Sequence, residues 1–144
     1  MLRLPTTLTL LLALTACGPP EDTVIPDETD LPTDPCEGIT PSVTDLTADE
    51  LLSMLDAKDF QLVNVHVPYA GEITQTDVHV SFQDIDGIED HVTQDKGAKI
   101  VVYCLTGPMS EIASNELVDR GYCNVYDMPP GMYVWEQLGY PMGD

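Results

Sequence analysis

Basic residues are scarce in this chain: five Lys or Arg stand against 25 Asp or Glu in 144 residues, a formal net charge of −20. A surface so short of cations repels phosphate backbones and anionic headgroups, which argues against nucleic-acid binding and electrostatic membrane adhesion. It also slows the approach of anionic substrates. The apolar run Leu8 to Leu14 is too short to span a bilayer. The histidines, His66, His79 and His91, show no ligand spacing, so neither a metal site nor a cofactor is expected. No C-x-x-C pair occurs among the four cysteines, which argues against a thioredoxin-like mechanism. No internal repeat is visible.

What is present begins at the amino terminus. Met1-Leu2-Arg3 places one positive charge ahead of the apolar run, which has the dimensions of a signal-peptide core. Leu14-Thr15-Ala16-Cys17 resembles the bacterial lipobox. That resemblance implies a lipoprotein: a signal peptide over residues 1–16, diacylglycerol on the Cys17 sulfur, and a further acyl chain such as palmitate on the new amino terminus. An ordinary secretory signal with a chance cysteine is the alternative. Cleavage there removes Arg3 and no acid, leaving four basic residues against 25 acidic ones, a net charge of −21. Gly18 follows Cys17, where no Asp signals inner-membrane retention. The expected location is the bacterial cell envelope, lipid-anchored to the outer membrane and facing the periplasm.

Residues 17–41 are rich in Pro and acids and read as a semi-extended tether that cannot bury enough surface to fold. Residues 42–144 are enough for one domain with a modest core. Within it, Thr47-Ala48-Asp49-Glu50 is a capping box opening a helix that ends near Lys58. Strands are expected at Phe60 to Val65, Val78 to Phe82, Lys99 to Tyr103 and Asn124 to Met128. Helices are expected at Asp84 to Val92, at Ser110 to Arg120 with Ile112, Ala113, Leu117 and Val118 buried, and at Gly131 to Leu138. Short alternating strands and helices predict an α/β fold with a parallel sheet covered on both faces.

The stretch Lys99-Ile-Val-Val-Tyr-Cys-Leu-Thr-Gly-Pro-Met-Ser110 carries the chemistry. Four strand-favouring residues deliver Cys104 into a short loop, and a helix follows at once. Backbone N–H groups and a helix N-terminus at such a turn stabilise a thiolate. A cysteine packed as a small apolar residue is the competing reading.

Several segments in order resemble the single-domain rhodaneses: the capped helix at Thr47 to Leu55; Leu62-Val-Asn-Val-His-Val-Pro68; Gly71-Glu72-Ile73; Val101-Val-Tyr-Cys104; and Gly121-Tyr-Cys-Asn-Val-Tyr126 followed by Gly131-Met-Tyr-Val-Trp135. The resemblance implies a rhodanese-like, mainly parallel five-stranded sheet with helices on both faces. It also implies a thiosulfate sulfurtransferase-like activity in which Cys104 carries sulfur as a persulfide. The loop Leu105, Thr106, Gly107, Pro108, Met109 and Ser110 would then follow the catalytic residue, and the turn from Cys104 to Met109 would curl its N–H groups around the sulfur. A small-molecule or protein sulfur donor and a thiol acceptor are the implied partners of a monomer.

The departures from that family matter as much. Its loops usually carry Arg at the positions of Leu105 or Met109, and no Lys or Arg lies between Lys99 and Arg120. Each missing charge-assisted hydrogen bond is worth about 1.5–3 kcal/mol, which predicts poor use of thiosulfate. Ser110 stands where a cysteine phosphatase needs its Arg, which argues against that activity. His66 replaces the family's usual Arg after the second strand. It either serves the sulfur as a proton acceptor or donor, or, more economically, ties down the next turn through Glu72 or a backbone carbonyl. In the family's strand order, Cys36 reaches the end of the sheet where Cys123 lies, so a Cys36–Cys123 disulfide is expected rather than two free thiols. A catalytically weak binding or regulatory module at the envelope, or a redox role for Cys104, are the alternatives to turnover.

Overall fold

The computed structural model describes residues 34–143. The expected signal peptide, Cys17 and the tether up to residue 33 lie outside them. The elements run β1 (Val43–Asp45), α1 (Ala48–Leu55), β2 (Gln61–Asn64), β3 (Val78–His79), α2 (Ile85–His91), β4 (Ile100–Tyr103), α3 (Pro108–Asp119), β5 (Val125–Asp127) and α4 (Gly131–Gln137).

The capping box does what its spacing requires. The Thr47 hydroxyl accepts the Glu50 amide at 3.2 Å, and the Glu50 carboxylate accepts the Thr47 amide at 2.8 Å. Two otherwise orphaned donors are satisfied, and α1 starts at Ala48 with Leu51 and Leu55 turned into the core.

The five strands form one sheet in the order β1-β5-β4-β2-β3, and every pair is parallel. The central strand β4 is buried along its whole length, as a strand covered on both faces must be. Side chains alternate between the faces. Leu62, Val101 and Tyr103 pack with Leu51, Leu55, Met132 and Trp135 of α1 and α4. Val63, Ile100, Val102 and Val125 pack with Ile85, Ile88, Ala113 and Leu117 of α2 and α3. The Tyr103 hydroxyl crosses to accept the Ile73 amide at 3.0 Å and pairs with Thr76 at 2.6 Å, fixing the segment between β2 and β3.

Three expectations are corrected. The strand expected over 78–82 keeps only Val78 and His79 in the ladder, because its partner β2 ends at Asn64; the amides of Val80 and Phe82 still donate to Asn64 and Val65. Helix α3 begins at Pro108 rather than Ser110, since proline fits the first helical position, where no N–H is needed. Ile112 is exposed rather than buried: the stripe Ser110, Ala113, Ser114 and Leu117 faces inward, and Ile112 falls on the outer flank.

Cys36 and Cys123 are joined by a disulfide with Cα atoms 5.8 Å apart. Cys123 precedes β5, whereas Cys104 follows β4. These strands run parallel, so the disulfide and the free thiol sit at opposite ends of the sheet.

Candidate functional site

Strand β4 ends at Tyr103, and the next residue, Cys104, is the free cysteine among the described residues. Its side chain belongs to the α2/α3-side core and is 1% exposed. The Gly107 amide donates to the Cys104 Sγ at 3.0 Å. Gly107 has φ of 105°, and a Cβ there would lie 2.5 Å from the Pro129 carbonyl oxygen, so only glycine brings this amide to the sulfur.

Expectation and structure part here. The turn after Cys104 was expected to place several amides around the sulfur. Because α3 starts at Pro108, the residues from Pro108 onward are drawn into its first turn. Among the described residues Gly107 alone donates to the sulfur. The loop proper is Leu105, Thr106 and Gly107, with Gly107 as the helix N-cap. Leu105 packs against the α1/α4-side core, Thr106 and Pro108 are exposed, and Met109 packs against the opposite core cluster. Ser110 is buried, and its hydroxyl donates to the Gly107 carbonyl at 2.9 Å.

The first turn of α4 holds the loop from the other side. Amides of Met132 and Tyr133 donate to the carbonyls of Cys104 and Leu105 at 2.9 and 3.0 Å. Gly131 makes that approach feasible: a Cβ on it would stand 2.3 Å from the Leu105 oxygen. In sequence Gly131 is one glycine before a helix; its role as contact point for the sulfur loop emerges only in the fold.

His66 makes neither of the bonds expected of its ring. Its amide donates to Asn64 Oδ1 at 3.0 Å and its carbonyl bonds His79 Nε2 at 2.7 Å. The ring Nδ1 is buried without a partner, bonded neither to Cys104 nor to Glu72. Nor, among the described residues, does a loop cation appear in space. Arg120, at the far end of α3, is held by Asp86, Glu89 and Glu116. Among the described residues no three His, Cys, Asp or Glu side chains converge as metal ligands.

Sequence reasoning missed Asp127. It ends β5, next to the strand that delivers Cys104, is 3% exposed, and leaves Oδ1 without a partner. Burial, reinforced by the charges of Asp45 and Glu111, pushes its carboxyl up to about 6 against the opposing influence of the Ser110 hydroxyl. Asp127 lines a cleft of about 430 Å³ whose walls include Thr106, Gly107 and Pro108, while Cys104 does not line it. The one available signal was an acid at the end of an otherwise apolar strand.

Comparison with known proteins places this arrangement. The family described as rhodanese-like domain matches residues 47–138. Among solved structures, the rhodanese-like domain of an Anabaena sp. protein aligns with a TM-score of 0.62 at 22% identity, covering 69% of this chain and 77% of that one. A rhodanese-related protein from Thermoplasma volcanium aligns at 0.59 and 22% identity, over 69% of this chain and 97% of that one. A protein of unknown function from Rhodopseudomonas palustris, described as a possible tyrosine phosphatase, aligns at 0.60 and 20% identity, over 70% and 85%. No curated protein matches the chain in sequence.

Proposed function

The chain belongs to the rhodanese-like family, and from that membership we propose that it is a sulfurtransferase that carries sulfane sulfur on Cys104. The observation that carries the reading is the free Cys104 thiol at the end of β4, receiving the Gly107 amide at the start of α3. In the forward step the Cys104 thiolate attacks the outer sulfur of a persulfide or polysulfide donor. The donor's S–S bond breaks, its remaining thiolate leaves, and Cys104 holds the sulfur as a persulfide anion. An acceptor thiolate then attacks that outer sulfur, forming a new persulfide and restoring the Cys104 thiolate. Each step exchanges one S–S bond for another, so no outside oxidant or reductant is needed.

The chain's own groups serve this chemistry as follows. The Gly107 N–H and the positive end of the α3 dipole stabilise the sulfur anion. The α4 amides on the Cys104 and Leu105 carbonyls hold the loop in place. A sulfur 1% exposed admits small donors ahead of bulky ones. Among the described residues no fixed cation faces the loop, which favours thiol-type partners over oxyanions. The same lack speaks against phosphoryl chemistry, since a phosphate dianion would find no arginine clamp. The lipobox-like Leu14 to Cys17 segment supports the further reading that the domain works at the bacterial envelope on a lipid anchor.

The test is turnover: transfer from inorganic polysulfide to a thiol acceptor, followed as persulfide formed. The wild type transfers sulfur and Cys104→Ser does not; equal rates in both would refute the assignment.

A further inference from the structure

Among the described residues, the cleft beside the sulfur loop is lined by carboxylates and by no Lys or Arg. Asp127 is 3% exposed and leaves Oδ1 unpartnered. Asp45, from the end of β1, and Glu111, from the first turn of α3, share the walls with Thr106, Ser114 and Asn115. The chain's described cations are engaged elsewhere: Lys58 with Asp77, Lys96 with Glu89, Lys99 with Asp59, and Arg120 with Asp86, Glu89 and Glu116. None of these partners lines the cleft. A buried carboxylate oxygen without a partner is costly, and evolution normally satisfies it or neutralises it. The Ser110 hydroxyl and the Met128 amide offset part of that cost, yet the Asp127 carboxyl remains well above the usual carboxylate range. The compensating charge is missing from the described fold.

The shape of the cleft separates two kinds of cation. Its carboxylates do not gather on one point, and no three ligating side chains among the described residues converge for a metal. The volume, about 430 Å³, is many times that of a bare ion or a single water. Acceptors are instead spread along the walls: three carboxylates, the Thr106 and Ser114 hydroxyls, and the Asn115 amide oxygen. Spread oxygen acceptors suit a group that presents several N–H donors in different directions.

We propose that this cleft binds an organic cation bearing N–H donors, a guanidinium or a primary ammonium, against Asp127, Asp45 and Glu111. Its source is either a small amine or the Arg or Lys side chain of a partner polypeptide. The proposal goes beyond the sulfur chemistry and does not rest on it, because Cys104 does not line the cleft.

The experiment titrates the full ¹⁵N-labelled chain with agmatine, with acetyl-Gly-Arg-Gly-amide, and with tetramethylammonium, which carries charge but no N–H donor. Saturable amide shifts at Thr106, Gly107, Asn115 and Asp127 are expected with agmatine, with the peptide, or with both. Saturation by agmatine supports a small-molecule source, and saturation by the peptide alone supports a polypeptide side chain. Asp127→Asn, and separately the pair Asp45→Asn with Glu111→Gln, weaken the effective probe at least tenfold. Cys104→Ser leaves binding unchanged, which keeps this result distinct from the fate of the sulfurtransferase reading. The proposal is overturned if neither N–H probe saturates, if tetramethylammonium matches them, or if both sets of carboxylate substitutions leave the affinity unaltered.

Discussion

The Gly107 amide donates to the Cys104 sulfur at 3.0 Å, from a backbone conformation that only glycine adopts without strain. Two requirements meet in that one residue. The amide must point at the sulfur, and the α-carbon must clear the Pro129 carbonyl, which a Cβ would approach to 2.5 Å.

Gly107→Ala therefore costs both stability and chemistry. The left-handed conformation alone is worth about 1–3 kcal/mol against alanine, and the contact with Pro129 adds to it. Urea unfolding should show a loss of at least that size. A variant that still folds should take up sulfur from inorganic polysulfide more slowly than the wild type, read from the rate of mass gain.

Met109 stands where a loop arginine would bind an oxyanion, and it packs at the rim of the core rather than deep inside. Met109→Arg should raise kcat/KM for thiosulfate by about 10–100-fold, the equivalent of one charge-assisted hydrogen bond. Met109→Leu should leave it at the low wild-type level. Cyanide-linked thiosulfate turnover provides the comparison.

Asp127 makes stability depend on pH with a definite sign. Its carboxyl sits at about 6 in the fold, above the ordinary 3.8 of an exposed aspartate. A raised carboxyl pKa is a cost that is absent below pH ~4, grows as pH rises, and is complete above pH ~6. A displacement of roughly two units corresponds to about 3 kcal/mol at most. Asp127→Asn removes this cost. The variant should gain about 1–3 kcal/mol over the wild type at pH 7, and the gain should shrink toward zero near pH 4 in urea titrations.

The Cys36–Cys123 bond closes 87 residues of chain. Its removal by the double serine variant should lower stability by about 2–4 kcal/mol in denaturant unfolding. Persulfide loading should persist, because the bond lies at the end of the sheet away from Cys104.

Much of the fold was legible because local signals agreed with the final packing. Thr47 and Glu50 announce the start of α1 by chemistry internal to four residues. The apolar run before Cys104 needs only the parallel-sheet pattern to be read as β4. The site was less legible. The length of the sulfur loop turned on Pro108, which reads as a loop residue in a string of letters and as a first helical residue once Gly107 turns the chain. Ile112 was misread for a different reason: the inward stripe runs through the small residues Ser110 and Ser114 beside Ala113 and Leu117, and Ile112 falls on its outer flank. Asp127 was missed because its burial comes from strands distant in sequence, β1 on one side and β4 on the other. The unpartnered Nδ1 of His66 was equally hidden, since Asn64 and His79 bond its backbone instead of its ring.

The most direct measurement of the central claim is the intact mass of the protein after exposure to inorganic polysulfide and removal of excess donor. The account predicts one added sulfur atom, mapped to Cys104, removable by a small thiol and missing in Cys104→Ser. A wild-type protein that gains no sulfur, or a Cys104→Ser variant that gains as much, would contradict it.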